Sequence, residues 1–260
     1  MMKREFPKLA SDLASFSIAS RDIIQRHFRT DMTVDGKSDL SPVTIADKQS
    51  EAVLREAIAA SYPTHHILGE EEGGTISGGY DWVIDPIDGT RAFICGKPQF
   101  GTLIALCDEL VPIAGMIDMP ILNECYIATA DTGSMMNNVP IHVSSVTDLS
   151  VARIASTAPE AFSQKALPYY SEFSQKCLTS GWGGDCYNYA LLAAGHLEIV
   201  IEHQLANHDI MALVPVIEQA GGIVTDWQGA PIRLGHSSSI IAAATPSLHE
   251  LALQAMAGAE

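Results

Sequence analysis

The sequence predicts a layered α/β fold. Two observations carry that prediction. Short apolar strands separated by turn residues follow one another from Tyr80, and strands alternate with helices through the second half of the chain. A third observation sets the scale: 260 residues suffice for one large domain or for two small ones sharing a core.

Leu9, Leu13, Phe16, Ile23 and Phe28 recur at helical spacing, with Lys8, Asp12, Arg21 and Gln25 between them, which predicts an amphipathic helix over residues 5–28. Residues 29–43 are polar, contain Gly36 and Pro42, and read as a loop. A second helix is expected over 45–61, ending before Pro63. The apolar run HHILG leads into Glu70, Glu71 and Glu72, and the following GGTISGG is flexible by composition. YDWVID then reads as a strand, PIDG as a turn and TRAFICG as the first turns of a helix. Strands are expected at 101–107, 111–117 and 124–130. Gly133, Asn137, Asn138 and Pro140 mark 131–140 as a candidate boundary, dividing the chain into residues 1–138 and 139–260. Beyond it come a strand near 151–156, helices near 160–178 and 185–195, the strand LEIVIE at 197–202, a helix near 209–220, a strand from GGIVTDW, the strand IIAAA at 240–244 and a C-terminal helix. No internal repeat or low-complexity segment is present.

A formal net charge of −16 repels phosphate backbones and argues against nucleic-acid binding. It repels a phosphate ester too, unless divalent cations intervene, so the acidic balance and a metal site fit together. Five cysteines without a C-x-x-C pair read as reduced thiols. The start MMKREFPKLASDLASF has no continuous apolar segment, and no stretch approaches the ~20 apolar residues needed to span a bilayer. A cytoplasmic protein with no membrane association is expected.

The strongest chemical feature is WVIDPIDGT, residues 82–90. Asp85 falls where the strand should end, because Pro86 forbids continuing the ladder; Asp88 and Gly89 make the turn, and Thr90 caps the next helix. Two carboxylates on such a turn can converge on hard cations, and the N–H groups of the helix start can receive a phosphate. The same residues are also those that ordinary turns prefer. Glu70–Glu72 reads either as a solvated face or as one glutamate standing beside Asp85 at a strand end. Asp209 opens a helix as a natural N-cap with an oxygen to spare for a metal, and Asp47 is a first-turn acid after Thr44. In SGWGGDCYNY, Gly183 and Gly184 can bring backbone N–H groups to an anion, while Asp185 reads as a cap or a ligand; Glu202 is a polar contact at the end of LEIVIE. No His-x-x-x-His, G-x-S-x-G, GxGxxG or GxxxxGK[ST] pattern occurs, and carboxylates with glycine turns favour Mg²⁺ over zinc.

GEE at 69–71, DWVIDPIDGT at 81–90 and HDIMALVPVIEQAGG at 208–222, in this order, resemble the inositol monophosphatase family. The resemblance spans nearly the whole chain. It implies an αβαβα sandwich of the inositol monophosphatase and fructose-1,6-bisphosphatase type, a homodimer, and two or three Mg²⁺ ions per site. It makes Glu70, Asp85 and the Ile87 carbonyl ligands of a first ion, and Asp88 and Asp209 ligands of a second, with Asp85 bridging. Residues 1–138 thus carry most metal ligands, and 139–260 complete the metal and substrate site. Thr90 with Asp47 resembles the dyad that orients the attacking water beside Glu70, and Gly89 and Thr90 present N–H groups to the phosphate.

DPIDGTRAFICGKP and GWGGDCYNYALLAAG look most like the histidinol-phosphate phosphatase branch, which implies a small phosphorylated metabolite as substrate. A carboxylate at 185 suits a cationic substrate group, and Glu202 shares the role. HQLANHD departs from that branch at Asn207 and His208. Inositol phosphate, a sugar bisphosphate or NADP are alternative substrates, and a non-enzymatic partnership with the transcription machinery is a reading from another class. A haloacid-dehalogenase-type mechanism fails, because it needs acids two residues apart and residue 86 is proline.

Overall fold

The computed structural model describes residues 6, 8–31, 34–36, 42–235 and 238–259. Helix α1 (Leu9–His27) buries Leu9, Leu13, Phe16, Ile23 and Ile24 and packs against α2 (Ile45–Ser61). The segment expected as loop between them contains a short hairpin, β1 (Val34–Gly36) with β2 (Pro42–Thr44). Thr44 starts α2 sharply. Its hydroxyl accepts from the Ala46 N–H, and the Asp47 carboxylate accepts from the Thr44 N–H at 2.8 Å. Such reciprocal capping contributes about 1 kcal/mol.

The strands β3 (His66–Gly69), β4 (Tyr80–Asp88), β5 (Gly101–Asp108), β6 (Val111–Met119), β7 (Glu124–Thr129), β8 (Gly133–Met136) and β9 (Val139–Pro140) form a seven-stranded sheet in that order, with the short helix α3 (Thr90–Ile94) after β4. Only β3 and β4 are parallel within it. Residues 133–140 are thus the last hairpin of this sheet.

The second half contributes β10 (Arg153–Ser156), α4 (Ala166–Ser174), β11 (Thr179–Trp182), α5 (Cys186–Ala193), β12 (Ile199–Leu205), α6 (Asn207–Ile210), α7 (Leu213–Glu218), β13 (Ile223–Asp226), β14 (Ser238–Ala243) and α8 (Pro246–Met256). Its sheet has the order β11-β10-β12-β14-β13. Two expectations change. The helix near 160–178 shrinks to α4, preceded by a 3₁₀ turn at Pro159–Ala161, and 179–182 form an edge strand. The helix near 209–220 is two pieces. Pro215 offers no N–H to a continuous helix, yet is tolerated in the first turn of α7.

Side-chain alternation along the strands stacks five layers. Trp82 and Ile84 of β4 face α1 and α2, where they meet Leu13, Phe16, Leu54 and Ile58. Val83 points the other way, into a core shared with Tyr189 and Leu192 of α5, Val216 and Ile217 of α7, and Val200 and Ala242 of the second sheet. Ile199, Ile201 and Ile241 face outward again onto Tyr170, Phe173, Leu248 and Ala252 of α4 and α8. The result is an αβαβα sandwich. Among the described residues, no helix is long and apolar enough to cross a membrane.

The approach between the first sheet and the α6–α7 junction depends on Gly115. A Cβ there would lie 2.2 Å from the Ala212 carbonyl oxygen. Gly115→Ala should cost about 1–3 kcal/mol through overpacking and lower the melting temperature by several degrees, read by circular dichroism.

Candidate active site

The site begins with the end of β4. Asp85 lies two residues after Val83, so it shares the inner face of the sheet. In an unbroken strand Asp88, three residues on, would point to the opposite face. The register against β5 shows why it does not: Asp85 pairs with Leu103, and the next partners are Asp88 and Gly101. Three steps on β4 oppose two on β5, and this one-residue bulge returns Asp88 to the side of Asp85. Pro86 lies inside the bulge, where its missing N–H breaks no ladder bond. The expectation that Pro86 ends the strand is therefore corrected. Its carbonyl accepts from the Thr102 hydroxyl at 2.8 Å, and Asp85 Oδ1 accepts from the Ile87 N–H at 3.0 Å.

Gly89, with φ 88°, turns the chain into α3 and is its N-cap. Thr90 is the first helical residue, so it is not the cap. Its hydroxyl lies 3.0 Å from the Ile87 carbonyl and 3.4 Å from Asp47 Oδ1, which brings the expected Thr90–Asp47 pair together. Burial pushes the Asp47 carboxyl up, against the Thr44 hydrogen bonds.

The parallel pairing of β3 with β4 aligns Gly69 with Ile84, and the Glu70 N–H donates to the Ile84 carbonyl at 3.2 Å. Glu70 thus stands beside Asp85. The turn carrying it is gripped from α2 by the buried Glu51, whose carboxylate accepts from the Glu71 N–H at 2.7 Å and the Glu72 N–H at 3.0 Å. Arg55 donates to the same carboxylate at 2.8 Å. Asp209 is the third residue of α6 rather than its cap, and Oδ2 accepts from the Ala206 N–H at 2.7 Å.

Two ligand groups result. Oxygens of Asp85, Asp88 and Asp209 lie within 4.8 Å of one another, as do ligand atoms of Glu70, Asp85 and His208. Asp85 belongs to both. Asp85 is raised well above the usual carboxylate range by burial and by the charges of Glu70, Asp88 and Asp209. Burial, Asp185 and Asp209 do the same to Asp88. A crowd of oxygen donors that cannot comfortably ionise together is the donor set that hard divalent cations require.

A cavity of about 140 Å³ adjoins these carboxylates, lined by Asp88, Asp185, Glu202, Asp209, Tyr189 and Thr157 among others. Asp185 holds φ 45° at the start of α5 and makes no capping bond; its carboxylate lies against Gly89, 3.0 Å from where a Cβ would stand. Burial raises it to about 6, opposed by the charges of Arg91 and Lys97. Glu202 shares the inner face with Val200 and accepts from the Thr157 N–H at 2.9 Å and from its hydroxyl. Burial raises it to about 7, while the Thr157 and Tyr189 hydroxyls pull it down. The anion contact expected of Gly183 does not stand. Its N–H is occupied by the Ser156 and Thr157 carbonyls, at 3.1 and 2.8 Å. At Gly184 the structure shows a demand for space, since a Cβ there would collide with Asn188 Oδ1.

Sequence reasoning missed Glu51, Thr157, Tyr189 and the proximity of His208. Glu51 carried a usable signal, lying one helical turn after Asp47 on the same face of α2. Thr157 carried none, because its place beside Glu202 follows from the pairing of β10 with β12.

Comparison with known proteins agrees with this geometry. Residues 7–259 match the inositol monophosphatase family. The chain is 41% identical to the chloroplastic bifunctional phosphatase IMPL2 of Arabidopsis thaliana, over 97% of this chain and 76% of that protein. It is 37% identical to the histidinol-phosphatase of Chlorobaculum parvum, over 77% of this chain and 78% of that one. An inositol monophosphatase structure from Zymomonas mobilis superposes with a TM-score of 0.87 at 39% identity, covering 95% of this chain and 97% of the other. Sheet order, carboxylate cluster and relatives converge: this chain belongs to the inositol monophosphatase family.

Proposed function

We propose that this phosphatase hydrolyses L-histidinol phosphate to L-histidinol and phosphate, using Mg²⁺ and an activated water. The observation that carries the substrate is the pair Asp185 and Glu202, two carboxylates lining the same cavity as Asp88 and Asp209. An inositol ring offers only hydroxyls to such a pair, whereas histidinol offers an ammonium group, and a charge-assisted contact to it is the stronger one.

Glu70, Asp85 and the Ile87 carbonyl would hold one divalent cation, and Asp85, Asp88 and Asp209 a second. When bound, the ions lower the pKa of water and neutralise charge on the phosphate and the leaving oxygen. The chain's own residues supply alignment. Thr90, between Asp47 and the Ile87 carbonyl, orients the attacking water beside Glu70. Gly89 and Thr90 offer the first N–H groups of α3 to the phosphate. Gly184 gives the turn before α5 the room it needs, so that Asp185 reaches the substrate amine.

Phosphate release with Mg²⁺ should show a higher kcat/KM for L-histidinol phosphate than for inositol 1-phosphate. Asp185→Ala should lower the former by roughly 10- to 100-fold and the latter far less, since one charged hydrogen bond is at stake. Equal loss on both would favour the inositol-phosphate reading. Asp88→Asn should reduce kcat about a thousandfold or more on every substrate, a loss of several kcal/mol of transition-state stabilisation.

Metal-free stability should depend on pH in a defined direction. Asp85, Asp88, Asp185 and Glu202 all have folded pKa values above their ordinary ones. Their contribution is fully present below about pH 4 and is lost as pH rises through the folded values. The melting temperature of the metal-free protein should fall between about pH 5 and about pH 8. Added Mg²⁺ should raise it more at the upper end, as read by scanning calorimetry.

A further inference from the structure

We infer that His208 is a nitrogen ligand of the ion held by Glu70 and Asp85, so that this position takes first-row transition ions, Mn²⁺ included, in preference to Mg²⁺. The inference rests on the metal-dependent reading of the site.

A ring nitrogen of His208 and carboxylate oxygens of Glu70 and Asp85 lie within 4.8 Å of one another. Donors sharing one ion at about 2.1 Å from each stand roughly 3–4 Å apart, so small side-chain rotations close the group. The backbone beneath the ring is held on both sides. Asn207 Oδ1 accepts from the Gly235 N–H at 2.9 Å, and the Ala206 N–H donates to Asp209. The His208 side chain is 25% exposed, open to an ion arriving from solvent. Its Nε2 lies 3.6 Å from Asp209 Oδ1, beyond hydrogen-bond length, so a hydrogen bond to this neighbour does not fix the ring.

Donor type then separates the two ion positions. Asp85, Asp88 and Asp209 offer only oxygen, the preference of Mg²⁺. Glu70, Asp85 and His208 offer oxygen and imidazole, which favours Mn²⁺, Co²⁺ or Zn²⁺. A mixed pair, with a transition ion beside His208 and Mg²⁺ beside Asp88, is the occupancy these donors select.

The test is pulsed electron paramagnetic resonance on the full chain loaded with Mn²⁺, together with Mn²⁺ and Mg²⁺ titrations by calorimetry. The wild type should show ¹⁴N coupling from a coordinated imidazole, replaced by ¹⁵N coupling when the histidines are ¹⁵N-labelled. His208→Phe and His208→Gln should lose that coupling and bind Mn²⁺ about 10-fold or more weakly, with little change for Mg²⁺. Mn²⁺ binding that is lost in Asp85→Asn but shows no nitrogen coupling in the wild type would overturn the role of His208 alone. Mn²⁺ binding unaffected in Asp85→Asn would overturn the metal-site reading, and this inference with it.

Discussion

Carboxylates repel one another, and most strongly away from water. Glu70, Asp85, Asp88 and Asp209 are held together at the inner face of the first sheet, where desolvation and mutual repulsion drive Asp85 and Asp88 toward their protonated forms. Charges held this way cost several kcal/mol each unless a counter-charge arrives. The architecture around them consists of restraints against that repulsion. The β4 bulge fixes Asp85 and Asp88. The Glu51–Arg55 grip fixes the turn of Glu70. The Ala206 amide fixes Asp209. Together these contacts hold the acids where an isolated chain would let them swing apart.

The restraints come from both halves of the fold. Asp85 and Asp88 belong to the first sheet and Glu70 to the turn after β3, while Asp185, Glu202 and Asp209 belong to elements around the second. The shared apolar core between the sheets is therefore also the ruler of the site. Gly115 against Ala212 sets the spacing where the first sheet meets the α6–α7 junction, just after Asp209. Stability and catalytic geometry are coupled at that interface: a side chain that pushes the layers apart also moves an acid away from its partners.

Much of this was legible in the sequence, for identifiable reasons. Apolar periodicity placed α1, α2 and the strands β5 to β7, because one face of each is buried almost continuously. The motifs placed Glu70, Asp85, Asp88 and Asp209 in a single site. Three features were not legible. β11 is exposed along its length, so its TSGW carries no alternation. The β4 bulge is a matter of register, which belongs to β5 as much as to β4. Gly183 looked like an anion-binding glycine, but the carbonyls of Ser156 and Thr157, 26 or more residues earlier in the chain, occupy its N–H. Local pattern reveals what a residue can do; partners brought by topology decide what it does.

The bulge in β4 has a consequence for how this protein can change over generations. Strand faces obey parity, and Asp85 and Asp88 share a side only because one residue is out of step with β5. Only Pro86 and Ile87 stand between them, and the buried Ile87 side chain packs with Ile24, Ala46, Phe93 and Phe100. By the same parity, removing one residue there would leave the acids two apart, on one face of an ordinary strand, and would erase the bulge itself. Two spacings therefore keep these acids on one side, three residues with the bulge or two without it, so a relative that lacks the bulge should carry its second acid one residue nearer the first.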